Sequence, residues 1–231
     1  MKRLGMVGGI GPESTIAYYR SIIAAAREGK QDRSYPPVLI NSIDVQRVLK
    51  LVADGELATL TEYLVAAVDV LAKGGAELGL IAASTPHIVF DEVAKRSRIP
   101  LISIVEAACA AAQERRLKRP GLFGTRSTMQ GRFYPDVFSR AGIDLVAPGE
   151  EEQAYIHEKY VAELVNGVFQ PETRRGLLRI VEILKDREHI DAVILAGTEL
   201  PLILTEATAS DIPLLDATQI HVQAAVKRLW G

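Results

Sequence analysis

The sequence predicts an α/β fold built on two mostly parallel sheets, and three observations carry that expectation. Its short apolar runs do not alternate with polar residues: Leu4-Gly5-Met6-Val7, Leu78–Ala82, Gly121-Leu122-Phe123 and Ala192–Leu195. Strands buried on both faces read this way. Stretches with helical spacing separate the runs, which favours strand–helix alternation and parallel pairing. The pattern also occurs twice. The first half reads Leu4-Gly5-Met6-Val7-Gly8-Gly9, Leu80-Ile81-Ala82-Ala83-Ser84-Thr85 and Ile99-Pro100-Leu101. The second reads Gly121-Leu122-Phe123-Gly124-Thr125, Ile194-Leu195-Ala196-Gly197-Thr198-Glu199 and Ile212-Pro213-Leu214. The spacings between corresponding runs agree within a residue.

Taken in order, Leu4–Val7 is a strand that ends in the tight loop Gly8-Gly9-Ile10-Gly11-Pro12. Glu13 or Ser14 can cap a helix from about Thr15 to Glu28. Pro36-Pro37 ends a connector, Val38–Ser42 is the second strand, and Asp44 starts a turn. Leu57–Lys73 carries Leu57, Leu60, Leu64, Ala67, Val68 and Leu71 on one helical face, and Gly74-Gly75 stops it. Leu78–Ala82 is a strand, Ile88–Arg96 a helix and Leu101–Ile104 a strand. Ala107–Ala111, with Cys109 inside it, reads as an ordinary packed helix. The second half gives strand Gly121–Phe123, loop Gly124–Met129, helix Gln130–Ala141 closed by Gly142, and a short strand Leu145–Val146. Helices follow at about Glu151–Asn166 and Pro171–Lys185. Ala192–Leu195 is a strand, Pro201–Leu204 begins a helix, Leu214–Leu215 is the last strand, and Thr218–Leu229 the last helix.

Composition excludes several classes. The chain has 231 residues, 48% of them hydrophobic, with a formal net charge of −2. That balance argues against a nucleic-acid partner, which would need basic clustering. The run Arg115-Arg116-Leu117-Lys118-Arg119 reads as a solvated helix end. No stretch of about 18 uncharged apolar residues exists, so no membrane span is expected. A single cysteine rules out an internal disulfide and a multi-cysteine metal site,. It fits a reducing, cytoplasmic setting.

In open α/β sheets, ligands bind beyond the carboxyl ends of the strands. Four loops rich in Gly, Ser and Thr fall there. Gly9, Ile10 and Gly11 could present backbone N–H groups to an anion, although the spacing matches neither a dinucleotide fingerprint nor a P-loop. Thr125, Ser127 and Thr128, with Arg126 beside them, suit a carboxylate. Ser84, Thr85 and His87 follow one strand, and Thr198 and Glu199 another. Glu199 stands out, because a carboxylate on an apolar segment must be hydrogen-bonded or face a cleft. Asp216 is most simply a turn or capping residue, with His221 near the start of the last helix. Two such units facing each other would form a cleft with near-mirror walls, suited to chemistry on both faces of one carbon.

Together, Gly8-Gly9-Ile10-Gly11-Pro12-Glu13-Ser14-Thr15, Ser84-Thr85-Pro86-His87, Gly124-Thr125-Arg126-Ser127-Thr128-Met129, Phe133-Tyr134 and Gly197-Thr198-Glu199-Leu200 resemble the aspartate/glutamate racemase family. The resemblance implies two pseudo-symmetric three-layer domains, residues 1–98 plus 209–231 and residues 99–208, with the active site between them. It implies a homodimer, no pyridoxal phosphate, no other cofactor, no metal, and a small carboxylate or amino-acid substrate. It also implies two cysteines flanking the substrate α-carbon, one removing a proton and the other returning one. Their positions correspond here to Ala83 and Gly197, so two-thiol racemisation is not possible for this sequence. The carboxylate-binding positions Ser84, Thr85, Thr125, Thr128 and Thr198 match, and the family's anchoring arginine maps to Arg47.

Two expectations follow. The chain is an isomerase acting on the α-carbon of an acidic amino acid or similar carboxylate, with Glu199 or His87 serving in place of thiols. Alternatively, it is an inactive or altered family member that binds a dicarboxylate or amino acid.

Overall fold

The computed structural model describes residues 1–28, 35–205 and 208–230; Gly231, the end of the expected first domain, lies outside them. The chain divides into two compact units, Met1–Ile104 with Thr218–Gly231, and Val105–Ala217.

The sheet of the first unit contains β1 (Leu4–Gly8), β2 (Val38–Ser42), β3 (Leu78–Ile81) and β4 (Leu101–Ile102), in the order β2-β1-β3-β4. All pairs are parallel, with Leu4 opposite both Val38 and Leu78, and Gly79 opposite Leu101. Its central strands are covered on both faces, which explains their unbroken apolarity. One core gathers Leu4, Met6, Tyr18, Ile22, Leu80, Val222, Val226 and Leu229, drawing on helices Pro12–Glu28 and Ala217–Leu229. The other gathers Val7, Val48, Leu60, Leu64, Val68, Leu71, Ile81 and Val93, with helix Leu57–Lys73 supplying Leu60, Leu64, Val68 and Leu71. Leu57 itself is exposed, since it opens that helix.

In the second unit, β5 (Gly121–Phe123), β6 (Val193–Leu195) and β8 (Ile212–Asp216) are parallel, and β7 (Thr208–Ala209) pairs antiparallel with β8 at the edge. The order is β5-β6-β8-β7. Val146 forms an isolated parallel bridge to Gly121, where the short strand Leu145–Val146 was expected. Helices Glu150–Ala162 and Pro171–Glu188 bury Ile156, Tyr160, Leu177, Val181 and Leu184 with Phe123, Val193 and Leu195.

Several expectations change. Residues 209–231 do not go together with the first unit, because β8 pairs with β6 and only the last helix joins the first core. Local sequence carries no mark of which sheet a short apolar strand will join. Ile104 begins a helix, Ile104–Glu114, rather than ending β4. Asp44 caps a helix absent from the sequence reading, Val45–Ala53, its Oδ1 accepting from Gln46 N at 2.9 Å. The loop expected over 124–129 contains a short helix, Arg126–Gln130, and the helix expected over 130–141 runs Phe133–Arg140 after the break at Gly131. The first helix starts at Pro12, so Ser14 is not its cap but a buried residue donating to the Ala82 carbonyl at 3.3 Å. Among the described residues, no helix is long and apolar enough to cross a membrane.

Candidate functional site

In the first unit, β1, β2 and β3 end side by side, which brings the loops after them to one edge of the sheet. Gly9 and Gly11 take left-handed φ angles of 81° and 71°. Gly9 must be glycine twice over: besides that φ, a Cβ would press on the Ile43 backbone and on Ser42,. Its N–H is already used, donating to Thr15 Oγ1 at 2.8 Å, while Thr15 Oγ1 donates to the Gly11 carbonyl at 3.1 Å. Ile10 between them is buried. The turn is thus held by its own helix, and glycine here needs no bound anion to explain it.

Arg47 follows the end of β2, exposed, with its guanidinium carbon 4.1 Å from the centroid of the Tyr63 ring. The Tyr63 hydroxyl in turn accepts from Asp44 N at 3.2 Å. A cation over an aromatic face keeps its charge while losing freedom. Nothing in the local sequence singles out Tyr63 as this support.

Beyond β3, Ala83, Ser84, Thr85 and His87 are all buried. The His87 ring is held at both nitrogens. Nδ1 lies 2.9 Å from the Ala83 carbonyl, and Nε2 accepts from Ile104 N at 3.3 Å. That network assigns the neutral tautomer with the proton on Nδ1. Burial, reinforced by neighbouring His221, holds the His87 pKa down to about 3. His221 is equally committed, with Nε2 2.9 Å from the Ile102 carbonyl and Nδ1 2.9 Å from the Tyr18 hydroxyl. Burial lowers its pKa to about 4. His87, expected as a proton carrier, has both ring nitrogens in hydrogen bonds to the backbone, and burial favours its neutral form. Sequence cannot register that choice of partners.

In the second unit, β5 and β6 are neighbours and their loops meet, with Gly124 against the Ala196 carbonyl. Thr125 caps the helix Arg126–Gln130, its Oγ1 accepting from Thr128 N at 3.3 Å and lying 3.1 Å from Thr128 Oγ1. Ser127 is half-buried and Arg126 exposed; the Arg126 N–H donates to His157 Nδ1 at 3.3 Å.

After β6, Gly197, Thr198 and Glu199 are buried, Glu199 to 2% exposure. Its Oε2 accepts from Thr198 Oγ1 at 2.8 Å and, in a very short hydrogen bond, from the Tyr160 hydroxyl. Burial raises the Glu199 carboxyl above the ordinary carboxylate range, partly offset by the Tyr160 and Thr198 donors. Burial and the neighbouring carboxylate push the Tyr160 phenol well above its usual range. A carboxylate with an elevated proton affinity, oriented by two hydroxyls, has the properties of a general base. Tyr160 falls inside the helix expected over 151–166, and nothing in the sequence singles it out. Cys109 stays a packed side chain, its thiol pushed up by burial. Among the described residues, no group of three His, Cys, Asp or Glu side chains is placed to hold a metal.

Known proteins match this chain along nearly its whole length. A broad specificity amino-acid racemase of Bacillus subtilis, RacX, is 23% identical over 96% of both chains. A candidate Asp/Glu racemase from Yersinia pestis superposes over 100% of both chains with a TM-score of 0.90 and 28% identity. An aspartate racemase homologue from Pyrococcus horikoshii does so with a TM-score of 0.85 and 31% identity, again over 100% of both. The Asp/Glu/hydantoin racemase family model matches residues 7–225. With nearly the whole sequence matched, the chain belongs to the Asp/Glu/hydantoin racemase family.

Proposed function

We propose that this chain is an isomerase that takes a small amino acid or related carboxylate and removes its α-proton without pyridoxal phosphate, using Glu199 in place of a thiol. The observation that carries this reading is the Glu199 carboxylate itself, buried two residues past Gly197 and held by Tyr160 and Thr198. Ala83 and Gly197 stand, in this reading, where relatives place their cysteines. Neither can hold a proton. Arg47 anchors a carboxylate of the ligand through charge, and Ser84, Thr85, Thr125, Thr128 and Thr198 orient it through hydroxyls. Gly9, Ile10 and Gly11, in the loop after β1, and Ser127, in the short helix after β5, complete the proposed ligand-binding set.

In the chemical step the α-C–H bond breaks, the proton passes to Glu199, and the electron pair is delocalised onto the ligand carboxylate as an enolate. Return of the proton from Glu199 gives exchange without inversion; inversion follows when a solvent water protonates the opposite face of the enolate and Glu199 releases its proton to solvent. Because α-protons of amino acids are very weakly acidic, placement of the base and exclusion of water supply much of the acceleration.

A second reading, binding without turnover, is favoured by one observation: two hydroxyls already occupy Glu199 Oε2. Proton NMR of L- and D-aspartate and glutamate in D₂O separates the two. Loss of the α-proton signal with the wild-type protein, absent with Glu199→Gln, is the expected result. No exchange together with a ligand-induced thermal shift would favour the binding reading, and neither effect would sink both. A homodimer in the cytoplasm accompanies this proposal, the dimer being checked by sedimentation equilibrium.

A further inference from the structure

Gly197 does not sit at a left-handed φ, so backbone conformation is no reason for glycine there,. Packing is. A Cβ on Gly197 would overlap the Tyr160 ring at Cε2, with Tyr160 Cζ and Leu200 Cδ1 each 3.1 Å away. Both neighbours are fixed. Tyr160 is 6% exposed and packed between the helices of the second core, and Leu200 is fully buried. The same ring that fills this space ends in the hydroxyl bonded to Glu199.

We infer that Gly197 and Tyr160 are a matched pair, in which the phenol occupies the volume of any side chain at 197 and uses its hydroxyl to hold Glu199. Tyr160 is then a positioning residue, acting on the ligand only through Glu199. It makes the Tyr160–Glu199 pair, not residue 197, the proton-bearing group of this strand end. This rests on Glu199 being the working carboxylate proposed above. The shared consequence is that restoring a thiol at 197 does not restore thiol chemistry, because Tyr160 stands in its place.

The test is made on the full chain without ligand, so its failure is distinguishable from failure of the exchange experiment. Gly197→Cys and Gly197→Ala are each expected to lower the folding equilibrium constant by about tenfold or more, as overpacking does. In a Tyr160→Ala background, or Tyr160→Leu should that variant not fold, Gly197→Cys is expected to cost less than about threefold. Equal losses in both backgrounds, or no loss in either, would overturn the steric pairing. Tyr160→Phe keeps the ring and removes only the hydroxyl. The Glu199 carboxyl, followed by the infrared band that Glu199→Gln removes, should then titrate at least about half a pH unit higher. An unmoved titration would overturn the positioning role.

Discussion

Acidification should unfold the first unit through its two buried histidines, and the size of the effect can be worked out. His87 and His221 are 3% and 0% exposed, and their four ring nitrogens are committed to neutral hydrogen-bond patterns. Their folded pKa values of about 3 and about 4 lie below the 6.5 of an unfolded histidine. Below pH 6.5 the unfolded chain therefore binds more protons than the folded one. The stability these groups contribute is fully present above that pH and is lost as pH falls toward their folded values. Each pH unit removes at most about 1.4 kcal/mol per histidine. By pH 4.5 the pair has lost about 5 kcal/mol, comparable to the entire stability of a modest domain. Glu199 acts in the opposite sense, since its raised pKa lets the folded state take up a proton first. Carboxylates held low by Arg or Lys, such as Glu152 and Glu163, lose their contribution only below their ordinary range. The assay is urea unfolding at several pH values between 7 and 4.5, followed by fluorescence of Trp230. That residue is the only tryptophan and belongs to the first unit. The slope of stability against pH should fall by about half in His87→Gln and in His221→Gln, while Glu199 contributes equally to all three proteins. A flat wild-type profile, or slopes unchanged in both variants, would refute the assignment of two neutral buried imidazoles.

Three other outcomes are expected. Gly9→Ala combines a left-handed backbone with overlap onto the Ile43 backbone, and should destabilise the protein by about 3 kcal/mol or more in chemical unfolding. Arg47→Ala should weaken any carboxylate-induced thermal shift by about tenfold in ligand concentration. Tyr63→Leu, which removes the face under the guanidinium, should weaken it by a smaller factor, about two- to fivefold. Isothermal titration with the same ligand checks both variants, and an unchanged affinity in Arg47→Ala would remove it from the site.

The strand-end loops were legible because chain chemistry changes abruptly there. Gly8-Gly9, Ala83-Ser84, Gly124-Thr125 and Gly197-Thr198 each follow an apolar strand, and all four loops occur at strand ends in the structure. Glu199 was visible as an ionisable group on an otherwise apolar stretch. The partners of these residues were not visible. Tyr160 stands 39 positions from Glu199, inside a helix where nothing in the sequence singles it out. Tyr63 supports Arg47 from another helix. His87 looked available until its two nitrogens were found bonded to Ala83 and Ile104.

By itself the sequence determined the α/β class, the repetition of strand-end loops and the absence of a side-chain proton carrier at 83 and 197. These depend on local composition and on periodicity, which a linear chain displays. Only the tertiary structure decided that β8 completes the second sheet, that both ring nitrogens of His87 bond to the backbone, and that the Tyr160 ring fills the space beside Gly197. Each of those depends on which atoms fill a given volume or accept a given proton. Residues far apart in sequence settle such questions when they pack, and nothing local to either one records the outcome.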